Sequence, residues 1–206
     1  MMQNKEKKLK MCDLKNALKA KIKSVIDMWQ EEGIYAISFF VYSNECYEYN
    51  GFSNVVNFSI SYNTESDCPG AGEYDEERWN YAFWRQDEVP IIYTDEKNPL
   101  TDLLFEWYEE CGLENIGFES DDVYDENCIY IGKGPVGHYE LLSVVSEIAS
   151  ELQNEGFISK KFGKKLPLII HGLEYAWFDI EATNRGNPNG EADTFLKACK
   201  ELGLSE

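Results

Sequence analysis

The feature that most constrains the fold is the alternation of apolar side chains along residues 34–42. An extended chain sends successive side chains to opposite faces of a sheet. Because both faces of this stretch can be buried in part, the pattern predicts a central strand. The predicted faces are Tyr35, Ile37, Phe39 and Val41 on one side, and Ala36, Ser38, Phe40 and Tyr42 on the other.

A second alternating stretch, residues 55–62, predicts a neighbouring strand. Its apolar positions are separated by asparagine and serine, which is typical of a half-covered antiparallel strand. The connection between the two stretches contains Asn50-Gly51, the strongest short signal for a hairpin. We therefore predict antiparallel pairing in this part of the chain, with a further short strand at residues 46–49.

Helical periodicity occurs in four parts of the chain. Apolar residues recur at spacings of three and four in the N-terminal segment, and Gly33 is placed to end that helix. Asn98-Pro99 gives a capping side chain followed by proline at the first helical position. The predicted helices lie at residues 1–32, 98–111, 138–155 and 192–202, further strands at residues 128–131, 166–171 and 176–180, and a strand or irregular packing element at residues 76–84.

These elements predict an α+β fold with a largely antiparallel sheet flanked by about four helices. The sequence contains no internal repeat and no low-complexity linker that would mark a domain boundary. We therefore predict a single domain over residues 1–206, with the lysine-rich amphipathic helix of residues 1–32 packed on it.

The charge of the chain is large and unevenly distributed. The net charge is −19, yet residues 1–24 carry eight lysines and two acidic residues. Residues 45–126 carry 22 acidic residues and three basic ones. Such a field repels nucleic acid and attracts basic proteins, so we predict a basic protein partner and no nucleic-acid partner. The alternative is a solvated acidic surface that only aids solubility.

The sequence predicts a cytoplasmic protein with free thiols. No apolar run approaches the roughly 20 residues that a membrane helix needs, so we predict no membrane contact. The six cysteines form no Cys-x-x-Cys pair, and two histidines are too few for the usual zinc sites. We predict no metal, no cofactor and no catalytic residue, because no nucleophile, P-loop or metalloprotease motif occurs.

Aromatic residues next to acidic ones give the leading candidate for a partner-binding site. Aromatic anchors surrounded by charge have the composition of a protein-binding hot spot. Burial of the same aromatic rings in the core is the competing interpretation. The predicted partner-binding residues are Glu76, Glu77, Trp79, Trp84, Asp87, Glu88, Asp121 and Asp122.

A glycine-rich loop before the helix at residue 138 gives an alternative ligand site. Gly132, Gly134 and Gly137 match G-x-G-x-x-G, and His138 follows them. In dinucleotide-binding folds such glycines let a pyrophosphate approach a helix N-terminus. Pro135 removes one backbone donor, so a plain strand-to-helix turn is the competing interpretation. A small-molecule or nucleotide-binding enzyme is therefore the second hypothesis.

Three stretches in order resemble the bacterial domain-of-unknown-function 4303 family. They are Tyr-Ala-Ile-Ser-Phe at residues 35–39, Phe-Ser-Ile-Ser-Tyr-Asn-Thr-Glu at 58–65 and Glu-Arg-Trp-Asn-Tyr-Ala-Phe-Trp at 77–84, followed by Asn187-Pro188 before the last helix. The resemblance implies no established activity. It does imply a link to toxin and immunity proteins, since some relatives are similar to proteins of such gene neighbourhoods.

We therefore predict a non-enzymatic acidic binding protein. An immunity or inhibitor protein that covers a basic partner fits this charge, because complementary charge speeds association. A DNA mimic that blocks nucleic-acid enzymes is a third hypothesis with the same electrostatics. It would need carboxylates spaced like phosphates.

Overall fold

The computed structural model describes residues 2–94 and 97–205, with side chains from residue 11 onward. Within these ranges the chain forms seven α-helices, six strands and one 3₁₀ turn. The helices are α1 (Met2–Met28), α2 (Glu76–Trp79), α3 (Pro99–Cys111), α4 (His138–Asn154), α5 (Phe157–Phe162), α6 (Trp177–Gly186) and α7 (Asp193–Leu202). The strands are β1 (Ile34–Ser43), β2 (Glu48–Tyr49), β3 (Phe52–Ser53), β4 (Val56–Thr64), β5 (Val89–Ile92) and β6 (Leu168–His171), and the 3₁₀ turn is Tyr81–Phe83.

Four of the strands form a mixed sheet in the order β5-β4-β1-β6. Strand β1 pairs antiparallel with β4, and β4 pairs antiparallel with β5. Strand β6 lies parallel to β1, which the sequence did not indicate. The α+β class and the mainly antiparallel pairing are confirmed, and β1 is the central strand that its two apolar faces predict.

The Asn50-Gly51 turn forms the hairpin that its sequence predicts. It joins the two-residue strands β2 and β3, which pair antiparallel. Asn50 has φ of 50° and Gly51 has φ of 85°, the left-handed conformation at both central residues that a type I′ turn requires. This small hairpin lies between β1 and β4 along the chain.

Two apolar clusters cover the two faces of the main sheet. The first layer contains Leu18 of α1, Leu104 of α3 and Leu141 of α4, packed on Phe39 of β1. The second layer is smaller and includes Phe195 of α7 and the aromatic residues near α2. The sheet therefore lies between a large helical layer and a smaller aromatic one, so that both faces of β1 are buried.

One residue of β1 faces the opposite way from its prediction. Tyr35 was expected on the same face as Ile37, but it packs in the second layer together with Ala36. The pairing of β1 with β4 shifts register between Ile34 and Ala36. Such a bulge inserts one extra residue into a strand and breaks the alternation of its faces.

The free edge of β6 is covered by side chains of α6 and of the residue that follows it. The Thr183 hydroxyl donates to the Ile170 carbonyl at 2.8 Å and accepts from the Ile170 amide at 2.9 Å. The Asn187 amide does the same for Leu168, accepting at 3.0 Å and donating at 2.8 Å. These two side chains replace a further strand, so β6 does not present an open edge.

Three lysines of α1 pair with acidic residues of α4, not with the acidic segment of residues 45–126. Lys19 bridges Glu151 and Glu155, and the ion pairs involve exposed carboxylates. Such pairs contribute about 0–1 kcal/mol each. The complete ladder is Lys15 with Glu147 and Glu151, Lys19 with Glu151 and Glu155, and Lys23 with Glu155.

The predicted strand at residues 176–180 is wrong, because these residues begin helix α6. The Asp179 carboxylate accepts the backbone N–H of Ala176 at 3.2 Å, which caps the first turn of that helix. The predicted strand at residues 128–131 is reduced to an isolated bridge between Tyr124 and Tyr130. Among the described residues, no helix is both long enough and apolar enough to cross a membrane.

Candidate functional site

A pocket of about 660 Å³ opens at the carboxyl ends of β1 and β6. These two strands are parallel neighbours, so their carboxyl ends meet at the same edge of the sheet. Ser43 ends β1 and Gly172 follows β6, while helices α4 and α6 begin at the same edge. Ligand sites of α/β proteins form at this kind of edge, and the volume lies within the usual range for such sites.

His138 is the first residue of α4 and lies in the wall of this pocket. Its side chain is 6% exposed. Nδ1 lies 3.1 Å from the Ser43 hydroxyl, and Nε2 has no hydrogen-bond partner among the described residues. Burial lowers the pKa of this imidazole to about 4, so the ring is neutral at pH 7. His138 therefore offers one unused ring nitrogen to the pocket.

Asp179 lies in the first turn of α6 and also lines the pocket. It is 2% exposed. Oδ2 accepts the backbone N–H groups of Gly172 and Ala176, whereas Oδ1 has no hydrogen-bond partner within the part of the chain that the structure describes. Burial raises the pKa of the Asp179 carboxyl to about 8, although those two backbone N–H groups oppose the shift. The group is mostly protonated at neutral pH.

A tyrosine and a glutamate organise the rim of the pocket. The Tyr130 hydroxyl donates to the Glu119 carboxylate and accepts the backbone N–H of Gly134 at 2.8 Å. Among the described residues that line the pocket, four are acidic and none is lysine or arginine. The four are Glu45, Glu119, Glu174 and Asp179. The pocket is therefore suited to a positively charged group and repels phosphate.

The second histidine has a structural role. Each ring nitrogen of His171 has a partner in the chain, Ser38 Oγ at 2.7 Å and the Gly172 carbonyl at 2.8 Å. The ring is fully buried against Phe40 and Tyr81. Burial lowers its pKa to about 4, and no nitrogen is left to bind a ligand.

The residues of the predicted glycine loop have two different roles: some line the pocket, and others pack closely against neighbouring residues of the chain. Gly134 and His138 line the pocket. A Cβ on Gly132 would lie 2.6 Å from the Tyr130 side chain. Gly137 has φ of 98°, and its N–H donates to the carboxylate of Glu140 at 3.0 Å. A carboxylate thus already occupies the helix N-terminus where a phosphate would bind. Nucleotide binding by this loop stays a prediction.

The two tryptophans of the predicted partner-binding site pack in the core. Trp79 is 3% exposed and Trp84 is 4% exposed, both in the second layer. Their indole N–H groups donate to the carbonyls of Glu73 and Arg78. A buried indole needs such a partner, and the second face of β1 needs large apolar groups to cover it. Core packing therefore corrects the prediction that these rings are partner-binding anchors.

The predicted acidic residues fall into two groups on different layers. Glu76, Glu77, Asp87 and Glu88 flank the aromatic residues of the second layer. Asp121 and Asp122 are exposed in the segment between α3 and α4, helices that pack in the first layer. Glu88 accepts the Tyr81 hydroxyl at 2.6 Å, and Asp87 lies 3.7 Å from Arg85, so these two carboxylates already have partners in the chain.

An apolar and acidic surface lies beside the pocket, and of its residues the sequence had indicated only Asp121 and Asp122 as partner-binding. We call residues 118–131 together with Leu173 and Glu174 the pocket-rim surface. Five of its large apolar side chains are exposed: Phe118 (62%), Tyr124 (60%), Ile129 (54%), Ile131 (55%) and Leu173 (70%). Residues 118–131 also carry five carboxylates and no basic side chain. The signal available in the sequence was the alternation of acidic residues with apolar ones along residues 118–131.

The pocket-rim surface continues into a second depression of about 900 Å³. Both depressions are lined by Glu45, Asn54 and Glu119. Phe52 and Phe118 line the second one. Among the described residues, no group of three histidine, cysteine or acidic side chains is placed to hold a metal ion.

Comparison with known proteins gives no relative. No family model, no curated protein and no solved structure matches the chain. The resemblance to the domain-of-unknown-function 4303 family therefore stays a prediction.

Proposed function

We propose that this protein binds a basic protein partner through the pocket-rim surface. The observation that carries the proposal is the exposure of five large apolar side chains among the six carboxylates of the pocket-rim surface. Isolated exposed apolar residues are ordinary, but a group of them surrounded by polar residues is typical of an interaction site. The pocket beside them adds a concave feature for a protruding side chain.

The internal contacts of the segment support a preformed surface. The backbone N–H of Ile131 donates to the Val123 carbonyl at 2.7 Å, and that of Asp125 donates to the Ile129 carbonyl at 2.9 Å. Gly117 and Phe118 exchange backbone hydrogen bonds with Val136. A segment ordered before binding loses less conformational entropy when its partner arrives.

The charge of the surface supports a basic partner. Lys15, Lys19 and Lys23 of α1 pair with glutamates on or next to α4, and among the described residues no ion pair is formed by the carboxylates of residues 118–131. Opposite charge on the partner would raise the association rate and would make binding sensitive to salt. The same acidic pocket lining disfavours a nucleotide, whose phosphates it would repel. As part of this proposal we place the protein in the cytoplasm, which the absence of disulfide bonds between its six cysteines supports.

The resemblance to proteins of toxin and immunity gene neighbourhoods suggests where to look for the partner. Basic proteins encoded by the genes flanking that of this chain should be purified and titrated against it by calorimetry at about 50 mM and 300 mM salt. We expect one of them to bind, with weaker binding at high salt. Failure of all of them to bind at low salt would overturn the proposal.

A pair of apolar variants tests the surface itself. Ile129→Ser and Ile131→Ser remove exposed side chains, so they should weaken partner binding without changing the melting temperature. Leu202→Ser is the matched control, because Leu202 is an exposed leucine on α7 and is not one of the residues of the pocket-rim surface. Equal effects of all three variants on binding would contradict the assignment of the surface.

A further inference from the structure

We infer that the pocket at the carboxyl ends of β1 and β6 binds a guanidinium group, supplied by an arginine side chain of the protein partner. This inference deepens the proposed function and rests on it for the source of the arginine. The pocket chemistry itself is independent of the partner's identity and can be tested with a peptide.

Two buried polar atoms point to a ligand that donates hydrogen bonds. Asp179 and His138 both line the pocket, and the buried Asp179 Oδ1 and His138 Nε2 have no hydrogen-bond partner among the described residues. A buried polar atom without a partner costs about 1–3 kcal/mol. When the Nδ1–H of His138 donates to Ser43, Nε2 is an acceptor. Once the Asp179 carboxyl is ionised, the pocket presents two acceptors, one from α4 and one from α6.

The charge and the aromatic rings of the pocket favour a planar cation. Its lining includes four acidic side chains, together with Tyr124, Tyr130 and Phe178. A guanidinium carries five N–H donors in one plane and stacks on aromatic faces, whereas an ammonium is a compact point charge. Two acceptors on different helices can each take one of the separated N–H donors of a guanidinium. This arrangement suits a planar guanidinium better than the compact charge of an ammonium.

The Asp179 carboxyl would ionise when the cation binds. Its burial without a cation raises the pKa to about 8, and a neighbouring positive charge has the opposite effect. Glu45 and Glu174 at the rim are exposed and add negative charge around the entrance. A guanidinium would therefore meet carboxylates along its whole path into the pocket.

The test uses acetyl-Gly-Arg-Gly-amide, with lysine and citrulline versions of the same peptide. Citrulline keeps the shape of arginine but has no charge. Binding should be followed by two-dimensional NMR of the labelled protein, observing the His138 ring nitrogens and the amides of Gly134 and Gly172. We expect saturable shifts at these positions with the arginine peptide, at least tenfold weaker binding of the lysine peptide and no binding of the citrulline peptide.

Variants link the effect to the pocket. Asp179→Asn should weaken binding of the arginine peptide at least tenfold, and Glu45→Gln combined with Glu174→Gln should weaken it at least threefold without affecting folding. Glu181→Gln is the matched control, since it removes one exposed carboxylate from the same helix α6 outside the pocket. Equal binding of the arginine, lysine and citrulline peptides would overturn the inference, and so would unchanged binding by Asp179→Asn.

The two proposals fail in different ways. If the flanking-gene partner binds Asp179→Asn as tightly as the wild type, the arginine inference is wrong and the proposed function stands. If the arginine peptide binds in the pocket but no basic protein does, the proposed function is wrong and the pocket recognises a small guanidinium compound.

Discussion

Replacing Asp179 by asparagine should change how the stability of the protein depends on pH. Burial raises the pKa of the Asp179 carboxyl to about 8, against 3.8 for an ordinary aspartate. The folded state then binds one more proton than the unfolded state between these two values. Stability contributed by this group is therefore lost as pH rises, at about 1.4 kcal/mol per pH unit.

The two buried histidines have the opposite effect on the acid side. Burial lowers the pKa of His138 and of His171 to about 4, against 6.5 for an ordinary histidine. Their neutral forms contribute stability that is fully present above 6.5 and is lost as pH falls toward 4. Below pH 6.5 the unfolded state binds two histidine protons that the folded state lacks, whereas the folded state binds one aspartate proton that the unfolded state lacks. Stability therefore falls as pH drops below 6.5, and the wild type should be most stable near pH 6.5.

Between pH 6.5 and pH 8 the raised pKa of Asp179 lowers the stability by about 2 kcal/mol, while the loss of the remaining histidine protons from the unfolded state raises it by about 1 kcal/mol. We therefore expect the wild type to lose about 1 kcal/mol over this interval. Carboxylates with lowered pKa titrate below this interval, and the tyrosines and Cys199 with raised pKa titrate above it. The predicted loss is thus specific to one side chain.

Urea unfolding followed by circular dichroism at pH 5, 6, 6.5, 7, 7.5 and 8 measures this effect. Asp179→Asn keeps an oxygen for the Gly172 and Ala176 N–H groups but has no proton to lose. Its stability should rise by about 1 kcal/mol from pH 6.5 to 8, because only the histidines then contribute, while that of Glu181→Gln should fall like that of the wild type. Parallel curves for the wild type and Asp179→Asn would refute the assignment of the raised pKa to this carboxyl.

Three further predictions concern the packing around the sheet. Asn187→Ala removes the hydrogen bonds on the edge of β6 and should lower the unfolding free energy, measured by urea titration, by about 3 kcal/mol. The control Asn189→Ala replaces an exposed asparagine and should change the unfolding free energy by less than about 0.5 kcal/mol. Trp79→Ala should lower the unfolding free energy by about 3–5 kcal/mol, whereas Phe83→Ala should lower it by under about 1 kcal/mol, because Phe83 is 53% exposed. Similar losses for the two variants would contradict the core placement of Trp79. Lys19→Met should cost at most about 1 kcal/mol at low salt, and a larger loss in thermal unfolding would show that the ladder of α1 and α4 is more than a surface feature.

The sequence predicted the elements that depend on local patterns. The alternation in β1 and β4, the Asn50-Gly51 turn and the helix that Asn98 caps all follow from contacts a few residues apart, and each is present in the structure. The parallel pairing of β6 with β1 could not be predicted, because it joins residues about 130 positions apart with no local signal.

The candidate site was predicted only in part. His138 was identified from its place after the glycine loop, whereas Asp179 was missed because residues 176–180 resemble a strand in composition. Its position three residues after Ala176 is a capping pattern that could have indicated a helix start. Whether Trp79 faced a partner or the core depended on which elements cover each face of the sheet, and only the complete topology decides that.

The central claim is that a basic protein binds the pocket-rim surface. The most direct test compares two double variants that remove equal charge. One combines Asp121→Asn and Asp122→Asn, the other combines Glu76→Gln and Glu77→Gln, and each is titrated with the basic partner by calorimetry. Our account predicts at least tenfold weaker binding for the first pair and less than a twofold change for the second. Equal weakening by both pairs, or a larger effect of Glu76 and Glu77, would contradict it.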